Sequence, residues 1–360
     1  MLLKPALVLL MLFLPTAWGL AMSFSSDIYH VIQGFFYISV PVILILTGFQ
    51  LSGLFSRKQF LSFIVFAGNL TAVVFITLIL LKAGPVAFIS PYKEARLVVG
   101  PGSPACVLSL VISAYSKHFG IQVLNGNGKR YGSIFLNLIA IYLFASRTYW
   151  VMLFMFIIIF SINIMKKDLL LFYGFLILGI VLLTITLVRS TKALSFTNSI
   201  IYKLVNSFEE IKISKFKNFT EVTTFYRGYE AYRSWITFAG GNILEKMFGG
   251  GLGKMVNLNA RVLLDGAYWT SVPWVHNGFF FCLVKTGALG LFSILSFFIY
   301  IFREGFRRLS RGLPEIHFLK LLLIGCAGSL FIATFVICGI YNLEIAVLII
   351  TIGFLLQVLE

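Results

Sequence analysis

Apolar runs about as long as a bilayer is thick recur along the whole chain, and no soluble fold accommodates that pattern. A helix needs about 20 apolar residues to cross roughly 30 Å of hydrocarbon. Ten such runs lie at about 5–22, 31–54, 60–81, 104–124, 131–146, 147–165, 169–188, 275–302, 316–338 and 342–359. The fifth and sixth are divided only by Ser146-Arg147, but 35 residues are too many for one ordinary span. Of 360 residues, 59% are hydrophobic and 12% charged; soluble domains carry about 25% charged residues. Together with a mean hydropathy of +0.96, this excludes a cytosolic enzyme and a disordered chain. The expected fold class is an all-α polytopic membrane protein with about ten transmembrane helices.

The formal charge is +16, and the basic residues sit mainly between the apolar runs, so the excess reads as topology and not as nucleic-acid binding. Lys4, Arg57-Lys58, Lys129-Arg130, Lys166-Lys167 and the cluster Arg303, Arg307, Arg308, Arg311 occupy alternate gaps. By the positive-inside rule those gaps and both termini face the cytoplasm. The first run, with Lys4 before it and Ala17 and Gly19 near its end, also has the features of a signal peptide; it is taken as a span. The chain thus divides into a seven-span bundle over 1–188, a large outer loop over 189–274 and three spans over 275–360. The outer loop holds 11 Lys+Arg and 6 Asp+Glu, a balance suited to an anionic ligand or lipid headgroups.

Cys106, Cys282, Cys326 and Cys338 all fall in or beside apolar runs, with no metal-binding spacing; they read as small apolar core residues. Carboxylates are nearly absent from membrane depth, which counts against an ion-coupled transporter. No acidic pair is placed to hold a divalent metal. The polar signal that remains is Pro273-Trp274-Val275-His276-Asn277-Gly278, running into an apolar helix. Along that helix the offsets of 11 and 14 residues place Gly287 and Gly290 about 20° and −40° from His276, so all three share one face, with His276 in the first turn. Small residues there admit a close neighbour. The helix N-terminus disfavours an imidazolium and attracts anions, so His276 could act as a base beside a phosphate. Lys285 falls on the opposite side. The plain alternative is that His276 is an interfacial polar residue, like Trp269 and Trp274.

The stretch from Val275 to Gly290 reads His-Asn, nine residues, Gly, two residues, Gly, and resembles the signature of the bacterial O-antigen polymerase and O-antigen ligase superfamily. Ser146-Arg147-Thr148, opening an apolar helix, is similar to that family's Ser-Arg step. Arg227 through Trp235 to Phe248-Gly249-Gly250-Gly251-Leu252-Gly253 is similar to its Arg, Trp and Gly-rich passage. The resemblance covers about 131–302, although ten spans are fewer than the dozen or so common in the family.

The resemblance implies a multi-pass protein of the bacterial inner membrane with its site facing the periplasm. It implies a metal-independent transferase without cofactors whose donor is an undecaprenyl-diphosphate-linked glycan. The acceptor is a second lipid-linked glycan repeat for a polymerase, or the lipid A-core for a ligase; a chain-length regulator is a further candidate partner. The polymerase is the first expectation, on a compositional lean without physical warrant. His276 would activate the acceptor hydroxyl, with Asn277, Gly287 and Gly290 as the supporting motif. Without a metal, cations must neutralise the departing diphosphate, and Arg does so with a planar fork of donors. Arg147 and Arg227 are the first candidates, then Arg233 and Arg96; each could instead snorkel to headgroups. Gly249–Gly253 lacks the order of a nucleotide loop and reads as a tight turn with backbone amides near an anion. Glu344 is a weaker alternative base. His118 and His317 fall on the cytoplasmic side, and His30 has no supporting motif. A polysaccharide or lipid exporter and a membrane scaffold are the readings from other classes.

Overall fold

A computed structural model of the chain describes residues 3–24, 26–85, 99–100, 102–144, 146–163, 212–215, 221–222, 225–264, 266–307 and 313–359. The expected span at 169–188 and Arg96 lie outside them. Among the described residues the protein is mostly helical (78%), as a helical membrane protein requires. Among the described residues four helices are long and apolar enough to cross a membrane: Ile28–Leu54, Arg57–Lys82, Gly278–Phe306 and Pro314–Ile337.

The chain forms two compact units. The first comprises Met1–Phe55, Phe208–Gly312 and Leu322–Glu360; the second comprises Ser56–Ser207 and Leu313–Leu321. In the first unit lie α1 (Leu3–Ala21), α2 (Ile28–Leu54), α7 (Tyr226–Ala239), α8 (Ile243–Phe248), α9 (Gly278–Phe306), most of α10 (Pro314–Ile337) and α11 (Ala346–Val358). The second holds α3 (Arg57–Ala83), α4 (Pro104–Tyr115), α5 (Asn127–Leu143) and α6 (Arg147–Asn163).

Side chains too polar for lipid staple the second unit. Asn137 on α5 is fully buried and donates to Asn69 Oδ1 on α3 (2.6 Å) and to Ser109 Oγ on α4 (3.0 Å). Ser133 adds a bond to the same Asn69 oxygen (2.8 Å). Interhelical bonds of this kind are worth about 0.6–2 kcal/mol each in membranes. The run expected as one span at 104–124 is shorter than a bilayer. Ser103 caps α4 and Pro104 stands in its first turn, but the helix ends at Tyr115 and a 3-10 turn carries the chain to Gly120, which is left-handed (φ 77°). The thin divider at Ser146 does separate two helices.

In the first unit α2 and α11 pack backbone to backbone. A methyl group on Gly48 would collide with the Ile350 carbonyl, and one on Gly353 with the Ile45 carbonyl. Two departures from the sequence reading follow. The loop contains an antiparallel ribbon, β1 (Val256–Leu264) and β2 (Ala267–Val272), with Leu264 opposite Ala267 and an irregularity between Asn257 and Val262. The helix expected over 275–302 starts instead at Gly278 and breaks at Gly287 (φ 71°, ψ −170°).

That break is held from three sides. Trp18 Nε1 donates to the Thr286 carbonyl (2.9 Å), and the Gly250 amide donates to Val284 (3.0 Å). The Lys285 side-chain nitrogen donates to the Leu252 carbonyl (2.6 Å). A side chain at Gly287 would strike the Gly249 amide and the Met247 carbonyl. A left-handed alanine costs about 1–2 kcal/mol, and overpacking adds about 1–3 kcal/mol. Gly287→Ala is therefore expected to lower the apparent melting temperature in detergent sharply. Gly132→Ala, on an open stretch of α5, should leave it unchanged or raise it through helix propensity.

Candidate functional site

The sequence places His276 between β2 and α9, and its surroundings are built by the ribbon and α7. Tyr229 donates its hydroxyl to the Leu258 carbonyl (2.5 Å), and Arg233 Nε donates to the Asn257 carbonyl (2.8 Å), so both fasten α7 to β1. Asn277 is the N-cap of α9, its side chain accepting from the amides of Phe279 and Phe280 (3.1 and 3.2 Å). Such a cap is worth about 1 kcal/mol. It also fixes His276 one residue outside the helix, not in its first turn as the spacing suggested. With the chain non-helical at His276 and again at Gly287, angles counted along one continuous helix no longer relate His276, Gly287 and Gly290. Gly287 meets the turn after α8, and a methyl on Gly290 would strike Thr286 of the same helix.

The structure brings to His276 a residue that the sequence reading passed over. Glu230 on α7 is 2% exposed, and its Oε2 accepts from the His276 backbone amide (2.6 Å) and sits 3.0 Å from the ring Nδ1. An ionised carboxylate only accepts, so the pairing assigns the proton of the neutral ring to Nδ1 and leaves Nε2 bare. The His276 side chain remains 38% exposed, so the ring is not sealed in the core. Tyr226, one turn before Glu230, meets the imidazole edge-on with ring centroids 5.9 Å apart. Burial, and then the Glu230 charge, push its phenol pKa up; the hydroxyl is buried close to the carboxylate, although its geometry completes no hydrogen bond.

This arrangement can take a proton at Nε2 and stabilise the imidazolium through the carboxylate on the opposite nitrogen, the division of labour of a carboxylate-oriented histidine base. Glu230 was hard to find because it lies 46 residues from His276. Within its own helix it reads as an ordinary partner for Arg227 or Arg233, three residues to either side.

The other candidates are distributed as follows. Arg227 and Arg233 are half-buried on the same helix as Glu230, and Arg233 is already engaged with β1. Arg147 opens α6 in the second unit. Gly249–Gly253 is a tight turn, with Gly249 and Gly251 left-handed (φ 86° and 87°). Three of its amides serve the protein: Gly249 donates to Glu245, Gly250 to Val284, and Leu252 to Gly19 and Ser23. Lys285 is buried over the Phe281 ring (5.8 Å) and holds this turn. Glu344 is exposed in the 3-10 segment before α11, and His30 lies 3.9 Å from Asp27.

No protein-family model, curated protein or solved structure matches the chain.

Removing the carboxylate strands two donors of His276. Glu230→Ala is expected to destabilise the folded protein by about 1–3 kcal/mol, whereas Glu230→Gln keeps an acceptor oxygen and should lose less. Thermal unfolding of the two variants in detergent checks the order.

Proposed function

We propose that the protein is an inverting, metal-independent glycosyltransferase of the bacterial inner membrane. It would polymerise undecaprenyl-diphosphate-linked oligosaccharide repeats at a site facing the periplasm, in a chain of about ten spans. The observation that carries this reading is the buried Glu230 paired with His276 at the N-terminal end of a helix long and apolar enough to cross a membrane. The motif order around it, similar to the O-antigen polymerase and ligase superfamily, supplies the substrate class.

In the proposed reaction the acceptor hydroxyl oxygen attacks the anomeric carbon of the donor sugar, and the bond from that carbon to the diphosphate breaks. The hydroxyl proton passes to His276 Nε2, and Glu230 stabilises the resulting imidazolium. The diphosphate leaves on its lipid, with its charge met by Arg227, and by Arg233 in a supporting role. A lipid-linked donor accounts for a base set where a loop enters the bilayer. Transfer to the lipid A-core is the same chemistry with a different acceptor.

Surface polysaccharide from a strain lacking the gene, complemented with wild type or His276→Ala, tests the proposal on a gel. Core capped by a single repeat, extended to a ladder by wild type and not by His276→Ala, is the expected result. Bare core with polymer retained on its lipid carrier would make the protein a ligase. A ladder restored by His276→Ala at wild-type level would overturn the catalytic assignment. Glu230→Gln should lower the rate about 10²- to 10⁴-fold while His276 remains in place.

A further inference from the structure

A cavity of about 390 Å³ opens in the second unit where α4 gives way to the 3-10 turn and α5 begins. Its size falls within the range of small-molecule sites, about 300–1,000 Å³. Among the described residues its lining carries two cations, Lys117 and Arg130, and no carboxylate. The sequence from 95 to 167 contains no Asp or Glu at all, so no acid nearby in the chain is on hand to neutralise them.

Arg130 sets the sign of the wall. Its Nε donates to the Ser113 carbonyl (2.8 Å) and its Nη2 to the Ala114 carbonyl (2.6 Å). These belong to the last turn of α4, whose free carbonyls would otherwise repel an anion. Covering them with a guanidinium converts that helix end from negative to positive. Lys117 is exposed and donates to Asn127 Oδ1 (3.1 Å), a neutral partner that takes up none of its charge. Ser113 and Ser116 add hydroxyls to the lining, and Ile121 an apolar wall. The chain then turns through left-handed Gly126 into α5, with no side-chain cap and no acid in the first turn.

We infer that this cavity binds an anionic phosphate ester between Lys117 and Arg130. The ligand is either the headgroup of an acidic phospholipid at the membrane face or a soluble phosphate monoester. The inference stands on the cavity alone and does not depend on the glycosyl-transfer reading.

The full-length protein would be tested by thermal unfolding in two arms. One compares nanodiscs of phosphatidylcholine with nanodiscs containing phosphatidylglycerol; the other titrates glycerol 3-phosphate into protein in a neutral detergent. Saturable stabilisation is expected in one arm, and that arm identifies the source. Lys117→Gln, at an exposed position where folding is not at stake, should raise the half-saturating concentration about fivefold or more. Lys82→Gln, exposed at the C-terminal end of α3 and not among the residues that line the cavity, should not change it. Stabilisation in neither arm, or an identical response in Lys117→Gln and wild type, would overturn the inference.

Discussion

A carboxylate buried to 2% exposure must find its donors within the protein, because an unpaired ion in that position costs several kcal/mol. Glu230 finds both in one residue, the backbone amide and the ring Nδ1 of His276. The pairing cannot be relaxed at one end alone. It requires α7 to lie against the segment that leads into α9, which the Tyr229 and Arg233 bonds to β1 secure from the other side. The ribbon, the loop helix and the membrane helix are in this way three supports of one imidazole, and preorganisation of that kind is what a base needs.

The second structural knot is the break at Gly287. Interrupting a membrane helix leaves carbonyls without amide partners, and these must be satisfied within the protein. Trp18 from α1, Gly250 from the turn after α8 and the buried Lys285 side chain cooperate there. The glycine-rich stretch therefore acts as a docking turn. Its closeness to α9 explains why a side chain is tolerated neither at Gly249 nor at Gly287. The two knots lie along a single segment, 276–287, so the conformation of that segment links the placement of His276 to the packing of α1.

The four long apolar helices among the described residues were legible in the sequence, because apolar runs of bilayer length have few other uses. Pro104 behind Ser103 and Asn277 before Gly278 are local caps that can be read directly. The helix break was not legible: Gly287 and Gly290 fit a small-residue packing face equally well, and only the left-handed φ separates the two uses. The ribbon did have a signal, since Asp265-Gly266 between two apolar stretches is a hairpin turn sequence, but the loop was read for charge and aromatics. Of the site, His276 stood out by position and motif, whereas Glu230 depends on a contact between distant parts of the chain. Intrahelical neighbours Arg227 and Arg233 gave it a sufficient local explanation.

The most direct test of this account is the protonation of the His276 ring, read by ¹⁵N NMR of histidine-labelled protein in nanodiscs at a pH where the imidazole is neutral. The signal would be assigned by its loss in His276→Gln. A neutral ring carrying its proton on Nδ1, and losing that preference in Glu230→Ala, is the predicted result. A ring carrying its proton on Nε2, unchanged by Glu230→Ala, would contradict the account at its centre.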